Sequence, residues 1–506
     1  MAAPAPRAPL DLATGTTAPS TPARPPATPR GLRPDDWLNR GAYWLVPVLA
    51  SFAVVLWHIG RPQLWRDELF TWVRSTMSLG EIYQVIHEVD SVFVPYYIAM
   101  HGWTAIAGTS VVALRLPSAI AMTIAAGVIA VLGKRLFGPL AGLVAGLLFA
   151  LIPATSRFGQ EAKPHIFALL FVALSTLLLL RALERPHWTR WSLYALTCSL
   201  IGFSHLLAYV AVFAHGVAVF ALHWRDRRVL LSALAAVAVS TIPVGLLATA
   251  GYANKDGMAW LPLTSQQTLY DFPVKLFSAS IFHISGDGLF AGIVLALAVV
   301  AISVLGRRAA VPAILAVVPP VVLIAAGSVQ HVYHPRYLLY TLVGWILLAA
   351  AYAVRLRPAV MLGLGLVLGF LALPGQLTER QANGHGDYGV QAMAAVMATQ
   401  AHTGDAVMYQ VSAGDWLSVG TSYYLPRAPH YAAGAPHTEH DLKRVECTGT
   451  AACSVPRGPL WVLCMGKHTT LAECLSPADL AAAERAHPGA TPALIRDYRF
   501  TILRLG

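Results

Sequence analysis

Apolar blocks of about 17 to 22 residues recur along this chain, with Tyr43 to Ile59 and Val229 to Ala250 as two clear cases. About 20 apolar residues cross the hydrocarbon core of a bilayer as a helix, and a lone helix satisfies its own backbone there. Charged residues make up only 12% of the 506, against roughly 25% in a soluble domain. The expected fold is therefore a polytopic α-helical membrane protein. About eleven transmembrane helices are expected, over 43–59, 113–132, 139–155, 164–181, 191–204, 206–222, 229–250, 288–305, 310–328, 336–353 and 358–374. The net charge of +11 does not imply nucleic acid, because the basic residues sit in short clusters between apolar blocks. Such placement sets topology.

The clusters fall at alternate connections: the tail through Arg40, Lys134 with Arg135, Arg181 through Arg190, Arg225 through Arg228, Arg307 with Arg308, and Arg355 with Arg357. By the positive-inside rule these are cytoplasmic. Residues 1–40 are rich in Pro, Ala and Thr and read as a disordered cytoplasmic tail. Residues 41–375 form the membrane domain, with outer loops 60–112 and 251–287, and 376–506 form a soluble extracytoplasmic α/β domain. Val92 to Gly108 is apolar enough to span, but counting it would break the alternation, so it is laid in the outer interface. The N-terminus is thus expected inside and the C-terminal domain outside, and the Ala, Pro, Gly and Arg richness, like that of a high-GC bacterial protein, makes the plasma membrane the expected location.

In the last domain Ala406 to Val411 and Leu460 to Met465 read as buried strands. Tyr498, Phe500 and Ile502 alternate as in a half-buried strand, and Ser476-Pro477 with Asp479 reads as a helix start. Its four cysteines, Cys447, Cys453, Cys464 and Cys474, are disulfide candidates in an oxidising compartment, with three pairings open. Their spacing does not suit paired metal ligands. Cys198 lies in a span and reads as inert packing.

Three polar clusters interrupt the apolar blocks at the outer boundary. Leu64-Trp65-Arg66-Asp67-Glu68 follows the first span. Adjacent carboxylates repel, so one of Asp67 and Glu68 is expected to keep a raised pKa and act as a general base while the other orients or binds. An interfacial charged turn paired with Arg66 is the plainer alternative. The second cluster is Arg157, Gln160, Glu161, Lys163 and His165 between two spans. Here Arg157 and Lys163 suit a phosphate, while Glu161 suits a donor sugar, a divalent cation or a neighbouring cation; a snorkelling turn is the alternative. The third is His331-Val332-Tyr333-His334-Pro335-Arg336-Tyr337. Arg336 at an outer membrane edge calls for an anion, a lipid phosphate helped by His331 and His334, or else a salt bridge to Asp271 or Asp287.

His87, Glu88, Tyr96 and Tyr97 in the first outer loop are candidates for an acceptor groove. No zinc-protease motif, Walker loop or G-x-S-x-G elbow is present. No cofactor is required by these features, a divalent cation is left open, and metal ligands are not assigned.

Trp65-Arg66-Asp67-Glu68, then Arg115-Leu116-Pro117-Ser118 through Lys134-Arg135-Leu136-Phe137-Gly138, then Arg157-Phe158-Gly159-Gln160-Glu161-Ala162-Lys163-Pro164-His165 together resemble the GT-C superfamily of membrane glycosyltransferases. The resemblance is to the branch of protein O-mannosyltransferases and bacterial aminoarabinose transferases, and covers about 43–375. It implies a polyprenyl-phosphate sugar donor, a mannose-like hexose, and a glycan, lipid or protein acceptor hydroxyl outside the cell, attacked with inversion. It implies Asp67 as catalytic base with Glu68 beside it, Glu161 as the acid of the second outer loop, and Arg336 near the donor phosphate. Val92-Phe93-Val94-Pro95 departs from the His-Pro-Pro that such proteins often carry before the paired tyrosines. A transporter or lipid flippase is the rival reading, weakened by the lack of an internal repeat.

Overall fold

The computed structural model describes residues 38–87, 90–253, 258–278, 286–386, 389–402, 405–410, 415–425, 443–444, 455, 458–497 and 499–506. The helices in chain order are α1 (Tyr43–Leu56), α2 (Arg66–Thr76), α3 (Leu79–Gln84), α4 (Val94–Ala107), α5 (Val111–Phe137), α6 (Pro139–Leu151) and α7 (Pro153–Gly159). There follow α8 (His165–Glu184), α9 (Trp188–Ser204), α10 (Val210–His223), α11 (Arg227–Ala253), α12 (Gln266–Ser278), α13 (Asp287–Leu305), α14 (Ala310–Gly327), α15 (Leu342–Ala353) and α16 (Pro358–Thr378). The last domain holds α17 (Val390–Gln400), α18 (Asp415–Tyr424) and α19 (Pro477–Ala486).

Each expected span is helical, but length and composition divide them differently. Among the described residues eight helical stretches are long and apolar enough to cross a membrane, and nine if the bent pair α6 and α7 is one span. Asp287–Gly327 is one stretch of 41 residues, and α9 has 17 residues. At 14 residues α4 rises only about 21 Å, short of the roughly 30 Å core.

The hairpin of α5 and α6 shows how local sequence sets this packing. The Ser110 side chain accepts from Ala113 N–H and starts α5, Gly138 (φ 105°) ends it in the left-handed region, and Pro139 opens α6. The two helices then touch at Gly133 and Gly142, where a Cβ on Gly133 would lie 2.8 Å from Gly142 Cα. Outside, α11 and α16 bury only 28% and 22% of their apolar windows, whereas the stretch Pro335–Ala353 buries 78%. Exposed Leu231, Leu246, Leu366 and Phe370 thus form a lipid-facing girdle around a central helix.

One expected straight span is broken. Proline lacks an N–H and disfavours helix in the residue before it, and at Ile152-Pro153 the chain turns by 67° from α6 into α7. This bend buries all of α7 and carries residues 157–163 inward instead of around a solvent turn.

The C-terminal sheet has the order β2 (Lys443–Arg444), β1 (Ala406–Tyr409), β3 (Leu460–Met465), β5 (Phe500–Leu505), β4 (Ala493–Arg496). Strand β1 runs parallel to β2 and β3, and β5 antiparallel to β3 and β4. Alternation puts Val407, Trp461, Leu463, Phe500 and Ile502 against α17 and α18, and Met408, Val462, Leu503 and Leu505 on the other face with α19. Strand β5 is therefore buried on both faces, which corrects the half-buried expectation; Tyr498 lies outside the described residues. Ser476 caps α19 through Asp479 N–H. Cys464 and Cys474 form a disulfide, while Cys447 and Cys453 lie outside the described residues, as do residues 1–37 of the tail.

Candidate functional site

The first turn of α2 carries Asp67 and Glu68, and they point to different partners. Glu68 is buried and takes a two-pronged ion pair from Arg115 on α5, at 2.8 and 2.7 Å. Arg115 spends its remaining donors on the carbonyls of Ile59, Pro62 and Gln63, and Ala162 N–H also reaches Glu68 at 2.9 Å. Burial works against the Glu68 carboxylate, but the Arg115 charge and hydrogen bonds outweigh it and hold its pKa far below the ordinary range. Glu68 is thereby a fully satisfied anchor.

Asp67 faces the other way, one oxygen 3.0 Å from an Arg336 guanidinium nitrogen and part of its side chain open. Burial raises its pKa, and the charges of Arg336, Lys163 and Arg66 more than reverse that, leaving it below the ordinary aspartate value. The expectation that one member of the pair has a raised pKa is corrected: each carboxylate has its own cation, so neither forces a proton onto the other. Arg336 meets Asp67 rather than Asp271 or Asp287, the partners weighed as the alternative to a lipid phosphate; Asp271 pairs with Lys275.

The raised carboxylates lie deeper. Arg157 on α7 sits between Glu161 (3.1 Å) and Glu379 (3.2 Å) and donates to the His385 carbonyl. Burial lifts Glu161 to about 7 and Glu379 to about 8 despite that shared guanidinium. Arg157 is thus committed to protein acids. Trp65 joins the two regions: its indole N–H donates to Glu161 at 2.9 Å, and its ring lies 5.3 Å from the Arg157 guanidinium and 5.6 Å from that of Arg336.

Lys163 is buried with its ammonium 5.0 Å from the Phe93 ring and 5.7 Å from the Tyr97 ring. Among the described residues that ammonium has no hydrogen bond or ion pair to the protein. A buried cation without a partner among the described residues favours an anion, and Lys163 acts on Asp67 together with Arg336. Behind Arg336, the His334 ring accepts from Arg336 N–H, and His334, Tyr337, His205 and His165 follow one another at ring separations of 5.5, 4.6 and 5.2 Å. His331 is turned away onto the Leu261 carbonyl.

The acceptor candidates are divided. His87 is exposed, Glu88 lies outside the described residues, and Tyr96 and Tyr97 are buried, Tyr97 donating to Asp90 at 3.1 Å. No group of three or more His, Cys, Asp or Glu side chains among the described residues is placed to hold a metal ion.

Glu379, Arg380 and His385, just past α16, were not among the expected residues. Arg380 is buried and donates to the carbonyls of Val54 and Trp57 and to Ser156 Oγ, tying the end of α1 to α7. A charged pair directly after an apolar span was the visible signal.

Residues 90–251 match the family described as dolichyl-phosphate-mannose-protein mannosyltransferase. The crystal structure of ArnT from Cupriavidus metallidurans in the apo state is similar over 92% of this chain and 97% of that one, with 14% identity and a TM-score of 0.57. The structure of the same protein bound to undecaprenyl phosphate gives 93%, 98%, 14% and 0.58. No curated protein matches the sequence. With that family match over residues 90–251 and a fold shared along nearly the whole length of both chains, this protein has an ArnT-like fold that contains a segment similar to the dolichyl-phosphate-mannose-protein mannosyltransferase family.

Proposed function

We propose that this protein transfers a sugar from a polyprenyl-phosphate donor to a hydroxyl on the extracytoplasmic face of the plasma membrane. The observation that carries the reading is the ionised carboxylate of Asp67 beside Arg336 and near the Lys163 ammonium, unpaired among the described residues, on the helix that follows the first span. A lipid-phosphate donor keeps its tail in the bilayer while its sugar meets water, so its chemistry belongs at such a boundary. The ArnT structure holding undecaprenyl phosphate supports a lipid phosphate as the ligand.

In this reading Asp67 takes the acceptor proton as the hydroxyl oxygen bonds to the anomeric carbon, and the bond to the phosphate oxygen breaks with inversion. Lys163 and Arg336 take up the charge that grows on the departing phosphate. Asp67 loses its negative charge in the same step, which leaves both cations to the phosphate. Glu68 holds α2 in place through Arg115. Glu161, tied to Trp65 and Arg157, lines the donor side, and His334 supports Arg336 from behind. His87 remains an acceptor-side candidate, and a mannose-like hexose is the sugar proposed. Residues 41–375 form the catalytic unit and 376–506 an outer domain, with the N-terminus in the cytoplasm.

The test is transfer by purified protein from a synthetic polyprenyl-phosphate mannose. Asp67→Asn should lower the rate by about 10²- to 10⁴-fold. Equal rates would remove Asp67 from the base role. No transfer from any lipid-phosphate sugar by the wild type would sink the reading.

A further inference from the structure

The segment that delivers Asp67 is held from two sides. Inside, Arg115 gathers the carbonyls of Ile59, Pro62 and Gln63 and the Glu68 carboxylate. Outside, the grip comes from residues beyond the last span. Gln63 N–H donates to the Ala382 carbonyl at 2.8 Å, its side-chain amide donates to Gly386 and accepts from Gln391 N–H, and buried Leu64 N–H donates to the Tyr424 phenol oxygen at 2.7 Å. Tyr424 ends α18, a helix of the C-terminal domain. That helix is seated on α2: the Tyr423 ring meets Trp72 edge-on at 5.0 Å, its hydroxyl donates to the Thr109 carbonyl, and Gly420 leaves room for Leu69 and Val390.

We infer that Tyr424 is a positioning residue for Asp67, through which the C-terminal domain sets the first turn of the helix carrying that carboxylate. Leu64 lies three residues before Asp67 and is 1% exposed, so loss of the phenol oxygen leaves its amide without a ready partner. Two fixed points bracket the turn, Tyr424 on Leu64 and Glu161 on the Trp65 indole. Releasing the first loosens the turn between the remaining grips on Gln63 and Trp65, lets it shift about the Glu68–Arg115 pair, and so changes the 3.0 Å approach of Asp67 to Arg336. This inference rests on the glycosyltransferase reading for its catalytic consequence, while the grip itself is independent of it.

The test uses the full chain with Tyr424→Phe, which keeps the ring and removes the acceptor, and Tyr83→Phe, at an exposed tyrosine, as the comparison. Hydrogen exchange at the Leu64 amide should quicken by about tenfold or more in Tyr424→Phe. Its kcat should fall by about 10- to 100-fold with the donor KM within about twofold. The acid limb of its pH–rate profile should move to higher pH, because an Asp67 farther from Arg336 protonates more readily. Unchanged exchange, unchanged kcat, an unmoved acid limb, or equal effects in Tyr83→Phe would each overturn the inference. A wild type that transfers nothing would fail the function reading, and the exchange rate would still decide whether the phenol holds the turn.

Discussion

At the scale of single residues, Trp65 explains why two charged clusters far apart in sequence act as one. An indole offers one donor and two cation-attracting faces, and here they serve Glu161, Arg157 and Arg336 together. Asp67 and Arg336 are 269 residues apart, and nothing in the local sequence of either names the other. What was legible at each was the need for a partner, since a charge at a membrane edge is expensive alone. Lys163 is the opposite case: its need is visible in the sequence and is not met by any of the described residues. Lys163→Met should reduce transfer by about 10²- to 10³-fold, as the loss of a charge-stabilising donor does, and Lys163→Arg should restore part of it. Initial-rate kinetics over a range of donor concentrations check this, and full activity in Lys163→Met would remove the ammonium from the donor site.

At the scale of elements, the bend between α6 and α7 matters most, because it converts an expected surface turn into a buried strut. Pro153 was visible in the sequence, but proline kinks and proline breaks look alike there. The short segment after α16 was missed for a related reason: Glu379, Arg380 and His385 look like the solvated exit of a helix until α1 and α7 close over them. That burial has a pH signature. The folded state raises Glu379 from 4.5 to about 8 and Glu161 from 4.5 to about 7, so both hold protons more tightly than in the unfolded chain. Their contribution to stability is complete below about pH 4.5 and is lost as pH rises through about 7 and about 8. Glu68 has the opposite sign, its pKa being lowered, and loses its contribution in acid. Thermal unfolding in detergent should therefore show a midpoint that falls from about pH 4.5 to about pH 8 and levels off above it, and Glu379→Gln should flatten that slope. A slope unchanged by the substitution would place the titration elsewhere.

At the scale of the whole molecule, an apolar helical body with a lipid-facing girdle carries a two-faced sheet domain whose helix α18 rests on the charged helix α2. We propose the orientation set by the basic clusters, with that domain outside. Single cysteines introduced at Lys467 and at Arg185, in a background lacking Cys198, Cys447 and Cys453, should label from outside and from inside intact cells respectively. Labelling of both from one side would overturn the topology. The sequence by itself determined the membrane class, the helical segments, the three polar clusters and the superfamily resemblance, because these depend on composition and spacing along the chain. Only the tertiary structure decided which acid pairs with which base, that Glu68 anchors while Asp67 faces Arg336, and that a tyrosine beyond the last span grips the turn before them. Those are choices among partners hundreds of residues apart, and burial settles them by the cost of leaving a charge or an amide unpaired.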